Sequence, residues 1–179
     1  MCYMIVIFNE QFLELLKTQF TKINTPERLY WERIEPIDEN LVIRTHMIPF
    51  KERWVINKYI LNTKEAGACE DARCKQEHPE AICLYHVHED QGYIEAEIVE
   101  LHVSKDHDEK YYDILLNSVQ QECVSMGASV LLAYDIKAKI PLYERNSFVV
   151  SGSERNGIIP FRKLINPDKL LTSADQIVH

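Results

Sequence analysis

The stretch Leu101-His102-Val103-Ser104-Lys105-Asp106-His107-Asp108-Glu109 decides the fold, because two different periodicities meet in it. Upstream, Tyr93 to Ser104 has the length and composition of a strand. Downstream, Tyr112, Leu115, Leu116, Val119, Cys123 and Met126 recur at helical spacing, which predicts a helix over 108–126 with Gly127 just past its end. A strand that feeds a helix through a short turn is a place where many folds bind an anion. The first helical turn has unpaired N–H groups and the positive end of the macrodipole. Here the join holds acids and no glycine. Asp106 followed three residues later by Glu109 has the pattern of a capping box, so the helix is expected to satisfy its own free N–H groups.

Working outward, Ala81 to His88 reads as a strand, and Glu89-Asp90-Gln91-Gly92 as the turn of a hairpin with the Tyr93 strand. Ser129 to Tyr134 is a continuous apolar run of strand length, predicted to be buried on both faces in a parallel pairing. A short helix over 139–146 follows. Phe148 to Val150 and Ile158 to Leu164 then read as a final hairpin. Toward the N-terminus, Asn9 caps a predicted helix to Phe20, and Thr21 to Pro26 reads as a connector. Arg28 to Ile34 and Leu41 to Met47 read as strands. Pro49 suits the first position of a helix that would run to Leu61.

A chain of 179 residues with 46% hydrophobic and 27% charged residues is long enough for one domain with an extension. A net charge of -8 argues against general nucleic-acid binding, which needs a basic face to displace counterions. No apolar run approaches the roughly 20 residues of a membrane span. The apolar start, Met1 to Phe8, lacks a basic flank and a cleavage site, so it is not read as a signal peptide. Five unevenly spaced cysteines suit reduced thiols in an intracellular compartment, cytoplasmic or nuclear. Cys69, Cys74, His78 and Cys83 have the ligand types that zinc prefers. The expectation is nevertheless no metal: Cys83 falls inside an apolar run, where a small buried thiol is the simpler explanation. His86 and His88 share one face of their strand, a pair able to bind metal or move protons, or simply the polar side of a half-exposed strand.

Hairpin, helix, buried strand, short helix, hairpin is a distinctive order. Together with Ile140-Pro141-Leu142-Tyr143-Glu144-Arg145-Asn146-Ser147-Phe148, Ser104-Lys105-Asp106-His107 and the turn Ser151 to Gly157, it resembles the GNAT superfamily of acyl-CoA-dependent N-acetyltransferases. The resemblance runs from Ala81 to Ile165, is loose over Leu41 to Leu61, and does not extend to the first forty residues. It implies an α/β (α+β) fold with a twisted mixed sheet and helices on both faces. It also implies a domain at 41–166, an N-terminal extension at 1–40 packing on the domain or a partner, and a tail at 167–179. Acyl-CoA would lie in a V-shaped split between the parallel strands at 93–104 and 129–134, against Leu101 and Val103.

The pyrophosphate loop departs from the family's pattern, (Q/R)-x-x-G-x-(G/A). The usual Arg or Gln is Asp108, and glycine positions are Glu109, Tyr111 and Asp113. Side chains would fill the space that the phosphates need, and only Lys105 and Lys110 would offset the acids. Tyr143 matches the tyrosine that acts as general acid toward the CoA thiolate, or else it packs its helix on the sheet. Glu97 and Glu100 lie on the strand that supplies a general base, or else form a solvated face. Two functions remain open. One is a non-catalytic, GNAT-fold protein-binding or scaffolding module, holding a protein partner or a second copy, with no cofactor. The other is an active N-acetyltransferase that moves an acetyl group from acetyl-CoA to an amine.

Overall fold

The computed structural model describes residues 5–63, 79–104 and 109–166. It is a mixed α/β structure, a nine-stranded sheet flanked by helices. The strands are β1 (Thr21–Asn24), β2 (Leu29–Pro36), β3 (Leu41–Phe50), β4 (Arg53–Asn62), β5 (Ala81–Asp90), β6 (Tyr93–Val103), β7 (Ala128–Ile136), β8 (Val149–Val150) and β9 (Ile158–Leu164). The helices are α1 (Glu10–Gln19), α2 (Lys110–Ser125) and α3 (Ile140–Arg145), with a 3-10 turn at Lys137–Lys139 before α3. The sheet order is β1-β2-β3-β4-β5-β6-β7-β9-β8. Every pairing is antiparallel except β6 with β7, which α2 connects.

The hairpin β5–β6 turns on Gln91 and Gly92, both at positive φ, as a two-residue turn requires. Gly127 has φ 86, the left-handed conformation that stops α2 and releases the chain into β7. β7 sits inside the sheet between β6 and β9, and Ala128 to Leu131 and Ala133 are buried. Asn9 caps α1 by accepting the Phe12 N–H at 2.8 Å, and its amide donates to the Met126 carbonyl at 3.2 Å. One asparagine therefore starts α1 and ties it to the end of α2. Residues 5–40 thus supply α1, β1 and β2, which extend the same sheet and core. Phe12 is fully buried, edge-on to Trp54 with ring centroids 5.2 Å apart.

The helix expected from Pro49 to Leu61 is instead the end of β3 and all of β4. Trp54, Ile56, Lys58 and Ile60 point into the core at every second position, so the true period is two. Two features hide it. The β3–β4 turn is made by Lys51 and Glu52, with Lys51 at φ 56, and has none of the usual Gly, Asn or Asp signals. The inward position at the middle of the strand is a lysine. The Thr21 to Pro26 connector likewise contains the short strand β1.

That lysine belongs to a polar cluster between the sheet and α2. Lys58 Nζ donates to Thr45 Oγ1 at 3.0 Å and to Glu122 Oε2 at 3.2 Å, with Lys58 and Glu122 almost wholly buried. The Arg33 guanidinium pairs through Nη2 with the same Glu122 oxygen and with Glu35, donates from Nη1 to Gln19 Oε1, and stacks on Phe20 at 4.5 Å. Around the cluster the core is apolar: Met47, Ile56, Ile60, Val87, Leu115, Leu116 and Val119 are all buried. Among the described residues, contacts place α1, α2 and α3 on one face of the sheet, where the resemblance implies helices on both. Phe12 meets Trp54 of β4, Glu122 meets Lys58 of β4, and Tyr143 stacks on Phe161 of β9. Among the described residues no helix is long and apolar enough to cross a membrane.

Candidate functional site

The parallel pair opens partway along. β6 and β7 pair from Ile94–Ala128 to Ile98–Ala133, with a register shift at Ser129, and beyond that point they separate. β6 continues to Val103 paired with β5 alone, and β7 continues to Ile136 paired with β9 alone. A bulge contributes to the divergence. Leu84 pairs with Glu100 and the next residue, Tyr85, with Ile98, so Val99 is the extra residue. The bulge keeps Leu101 and Val103 buried on the helix-bearing face, like Ala96 and Ile98 before it.

The protein's own side chains bridge the split. Lys139 Nζ donates to the Leu101 carbonyl at 2.7 Å and to Asp135 Oδ2 at 3.0 Å. The Tyr143 hydroxyl donates to that same Asp135 oxygen at 3.0 Å. Asp135 comes from the end of β7, Lys139 from the 3-10 turn and Tyr143 from α3, so consecutive elements each give one member. The Lys139 ammonium also stands 5.6 Å from the Tyr112 ring. Tyr143 is 1% exposed, stacked on Phe161 at 4.3 Å and edge-on to Phe148 at 5.2 Å. Burial, and then the Asp135 carboxylate, hold its phenol well above the usual tyrosine range. The sequence shows the ingredients of this bridge: Asp135, Lys139 and Tyr143 recur every four residues. Only Tyr143 stands out by residue type, because Lys139 looks like an ordinary surface cation.

The other candidate residues are placed differently. Glu97 and Glu100 alternate with Ala96, Ile98 and Leu101, so they point to the face opposite Tyr143. Glu97 pairs with His86 there, and Glu95 lies 3.8 Å from His88 Nε2. Burial and then Arg53 lower the His86 pKa. Burial and then Glu97 raise that of Tyr134. The proposed acid and bases are thus not brought together. Lys105 and Asp108 lie outside the described residues, as does Asp106. Glu109 precedes α2 in helical conformation with no side-chain cap of its own. Lys110 Nζ sits 5.6 Å from the Tyr111 ring, and Tyr111 is buried in the core. Asp113 faces α3, where it accepts from Asn146 Nδ2 at 2.7 Å and Arg145 Nε at 3.1 Å.

Of the four residues with zinc-ligand chemistry, at which no metal is expected, Cys69, Cys74 and His78 lie outside the described residues. Cys83 is buried in β5, and its thiol is pushed up to about 12, chiefly by burial. Among the described residues no group of three or more His, Cys, Asp and Glu side chains is arranged to hold a metal.

These shifts have one consequence for stability. Cys83, Cys123, Tyr85 and Tyr143 all have raised values, with burial the largest cause of each. The folded protein keeps protons that the unfolded chain releases above about pH 8.5 for cysteine and about pH 10 for tyrosine. Stability is therefore expected to be full below that window and to fall as pH rises through it. Denaturant midpoints across the alkaline range check this; a midpoint that does not change up to about pH 11 would contradict it.

The α2 crossover between parallel neighbours and their splayed ends match the arrangement that the resemblance implies. The topology is that of the GNAT fold. Solved structures with similarity to this chain include a protein described as a GNAT-family acetyltransferase from Desulfovibrio desulfuricans, at 16% identity and TM-score 0.45, covering 62% of this chain and 69% of that one. Another is the Arabidopsis thaliana NAA60 protein in complex with acetyl-CoA, at 14% identity and TM-score 0.47, covering 62% and 76%. A third is the ribosomal-protein-S18-alanine N-acetyltransferase of Escherichia coli, at 16% identity and TM-score 0.44, covering 63% and 70%. No family model and no curated protein matches the sequence. With identities and scores this low, the α2 crossover and the splayed parallel pair carry the assignment.

Proposed function

We propose that this protein is a GNAT-fold module without acyl transfer, acting by holding a protein partner. The observation that carries the reading is the 2.7 Å hydrogen bond from Lys139 to the Leu101 carbonyl. In the arrangement that the resemblance implies, the acyl carrier lies in this split and bonds to the backbone of β6. Here that carbonyl already has an ammonium donor, held in place by Asp135. A ligand amide would have to displace a charged donor, whose hydrogen bond is stronger than a neutral one. The general-acid candidate is committed too, since the Tyr143 proton points at Asp135 and its ring is packed between Phe148 and Phe161. The acids at the start of α2 add repulsion where phosphates would sit. A partner protein suits a fold whose sheet and helices persist while its split is filled from within.

Calorimetric titration with acetyl-CoA tests this. No saturable heat is expected up to about 1 mM, which corresponds to less than roughly 4 kcal/mol of binding free energy. No rise in melting temperature should accompany it. A micromolar dissociation constant would overturn the reading in favour of the acetyltransferase.

A further inference from the structure

We propose that the groove between residues 5–7, α1 and the β1–β2 hairpin is a binding site for a free long-chain carboxylate, a single alkyl chain with an anionic head. The groove is independent of the β6–β7 split, and the proposal does not rest on the reading of that split. Its volume is about 570 Å³, within the range of small-molecule sites. α1 presents Leu13 and Leu16 to it, and Phe20, just past the end of the helix, continues the stripe. Trp31 of β2 forms part of the wall, as do Ile5 and Ile7. The apolar wall is therefore built by three separate segments of chain, and the stripe from Leu13 to Phe20 gives it a length of roughly 10 Å.

The polar chemistry is as specific as the apolar wall. The charged groups that line the groove are Lys17, in the last turn of α1, and Lys22, on β1. Lys22 pairs with Trp31 across the hairpin, so both side chains lie on the groove face, with the ammonium 5.7 Å from the indole ring. Neither lysine has a carboxylate partner among the described residues. Two cations with no carboxylate partner among the described residues, beside an apolar wall, are notable on a chain whose net charge is -8. They complement one anionic head on an apolar tail. An extended peptide fits less well, because its backbone N–H and C=O groups would enter a wall lined mainly by apolar side chains. A long alkyl chain brings no such groups.

The test titrates the full chain with dodecanoate and, separately, with dodecyltrimethylammonium, both below micelle-forming concentrations, reading tryptophan fluorescence and melting temperature. Dodecanoate is expected to bind saturably in the micromolar range, and the cationic amphiphile at least about tenfold more weakly. The double variant Lys17→Glu, Lys22→Glu changes exposed side chains only. It should keep the wild-type melting temperature and reverse the preference. Leu13→Asp, in the half-buried wall, should weaken both ligands. Anionic vesicles supply the alternative source of the same head group and should compete no better than free dodecanoate. The proposal is overturned if dodecanoate does not saturate, if the two amphiphiles bind alike, or if the double variant keeps its preference. It is also overturned if an acidic amphipathic peptide binds where dodecanoate does not, or if the wild-type chain dimerises through this face and Leu13→Asp dissociates it.

Discussion

Replacing Glu122 with alanine is expected to lower the free energy of unfolding by about 3–5 kcal/mol, one of the largest effects of any single change in this chain. The substitution leaves Lys58 Nζ in the core with only Thr45 as partner, and it removes the inner anchor of Arg33. An uncompensated buried charge costs far more than the methylenes lost with it. The pair itself is a poor source of stability. Glu122 Oε1 and the nearby Tyr85 hydroxyl are buried without a protein hydrogen-bond partner, so the cluster is incompletely satisfied. Lys58→Met combined with Glu122→Leu should therefore restore the wild-type value to within about 1 kcal/mol, or exceed it. Arg33 keeps Glu35 and Gln19 in that background. Urea denaturation of the two single variants and the double variant gives the answer through a thermodynamic cycle. A double variant as unstable as the sum of the singles would show that the cluster contributes net stability.

The same cluster explains where the sequence is hard to read. Strand β4 alternates without fault in the structure, yet its central inward residue is Lys58, and a lysine normally marks the outside. Its partner, Glu122, breaks the apolar stripe of α2 in the same way. Each residue contradicts the local pattern, and only the tertiary contact between them makes sense of both. Where local pattern and global fold agree, the reading succeeds: β5, β6, α2 and β7 are legible to within a residue or two from alternation, helical period and Gly127. The β3–β4 turn fails for a further reason. Lys51 adopts a left-handed conformation that is recognisable in sequence when glycine or asparagine holds it.

The candidate site divides along similar lines. Tyr143 and the two strands of the split are legible, because residue type and apolar runs mark them. The bridging role of Lys139 is not, since it depends on where β6 separates from β7. That point is set by the register and the Val99 bulge, which no local pattern encodes. Glu97 and Glu100 look alike in sequence as candidate bases. Strand alternation on either side of the bulge turns both away from Tyr143.

Tyr111 shows most sharply what the altered join does. Restoring glycine there, as a phosphate loop would require, is expected to destabilise the protein by about 3–5 kcal/mol from the lost aromatic burial. A further cost of up to about 1 kcal/mol comes from glycine near the start of α2. Tyr111 is 8% exposed and belongs to the core cluster with Leu115 and Leu116, so its ring anchors the first turn of α2. Asp113→Gly should cost much less, about 1 kcal/mol, because its contacts to Arg145 and Asn146 are half-exposed. The order of the two effects is the point. If the start of α2 were a phosphate cradle with altered side chains, Tyr111 would stand in open space and glycine there would be nearly neutral. Because the ring is part of the core, the chain uses this turn to dock a helix, and glycine should weaken the fold without creating acetyl-CoA affinity. Chemical denaturation of Tyr111→Gly and Asp113→Gly, followed by acetyl-CoA titration of whichever folds, separates the cases. A loss below about 1 kcal/mol at Tyr111, or micromolar acetyl-CoA binding by either variant, would return the join to the role of an anion site.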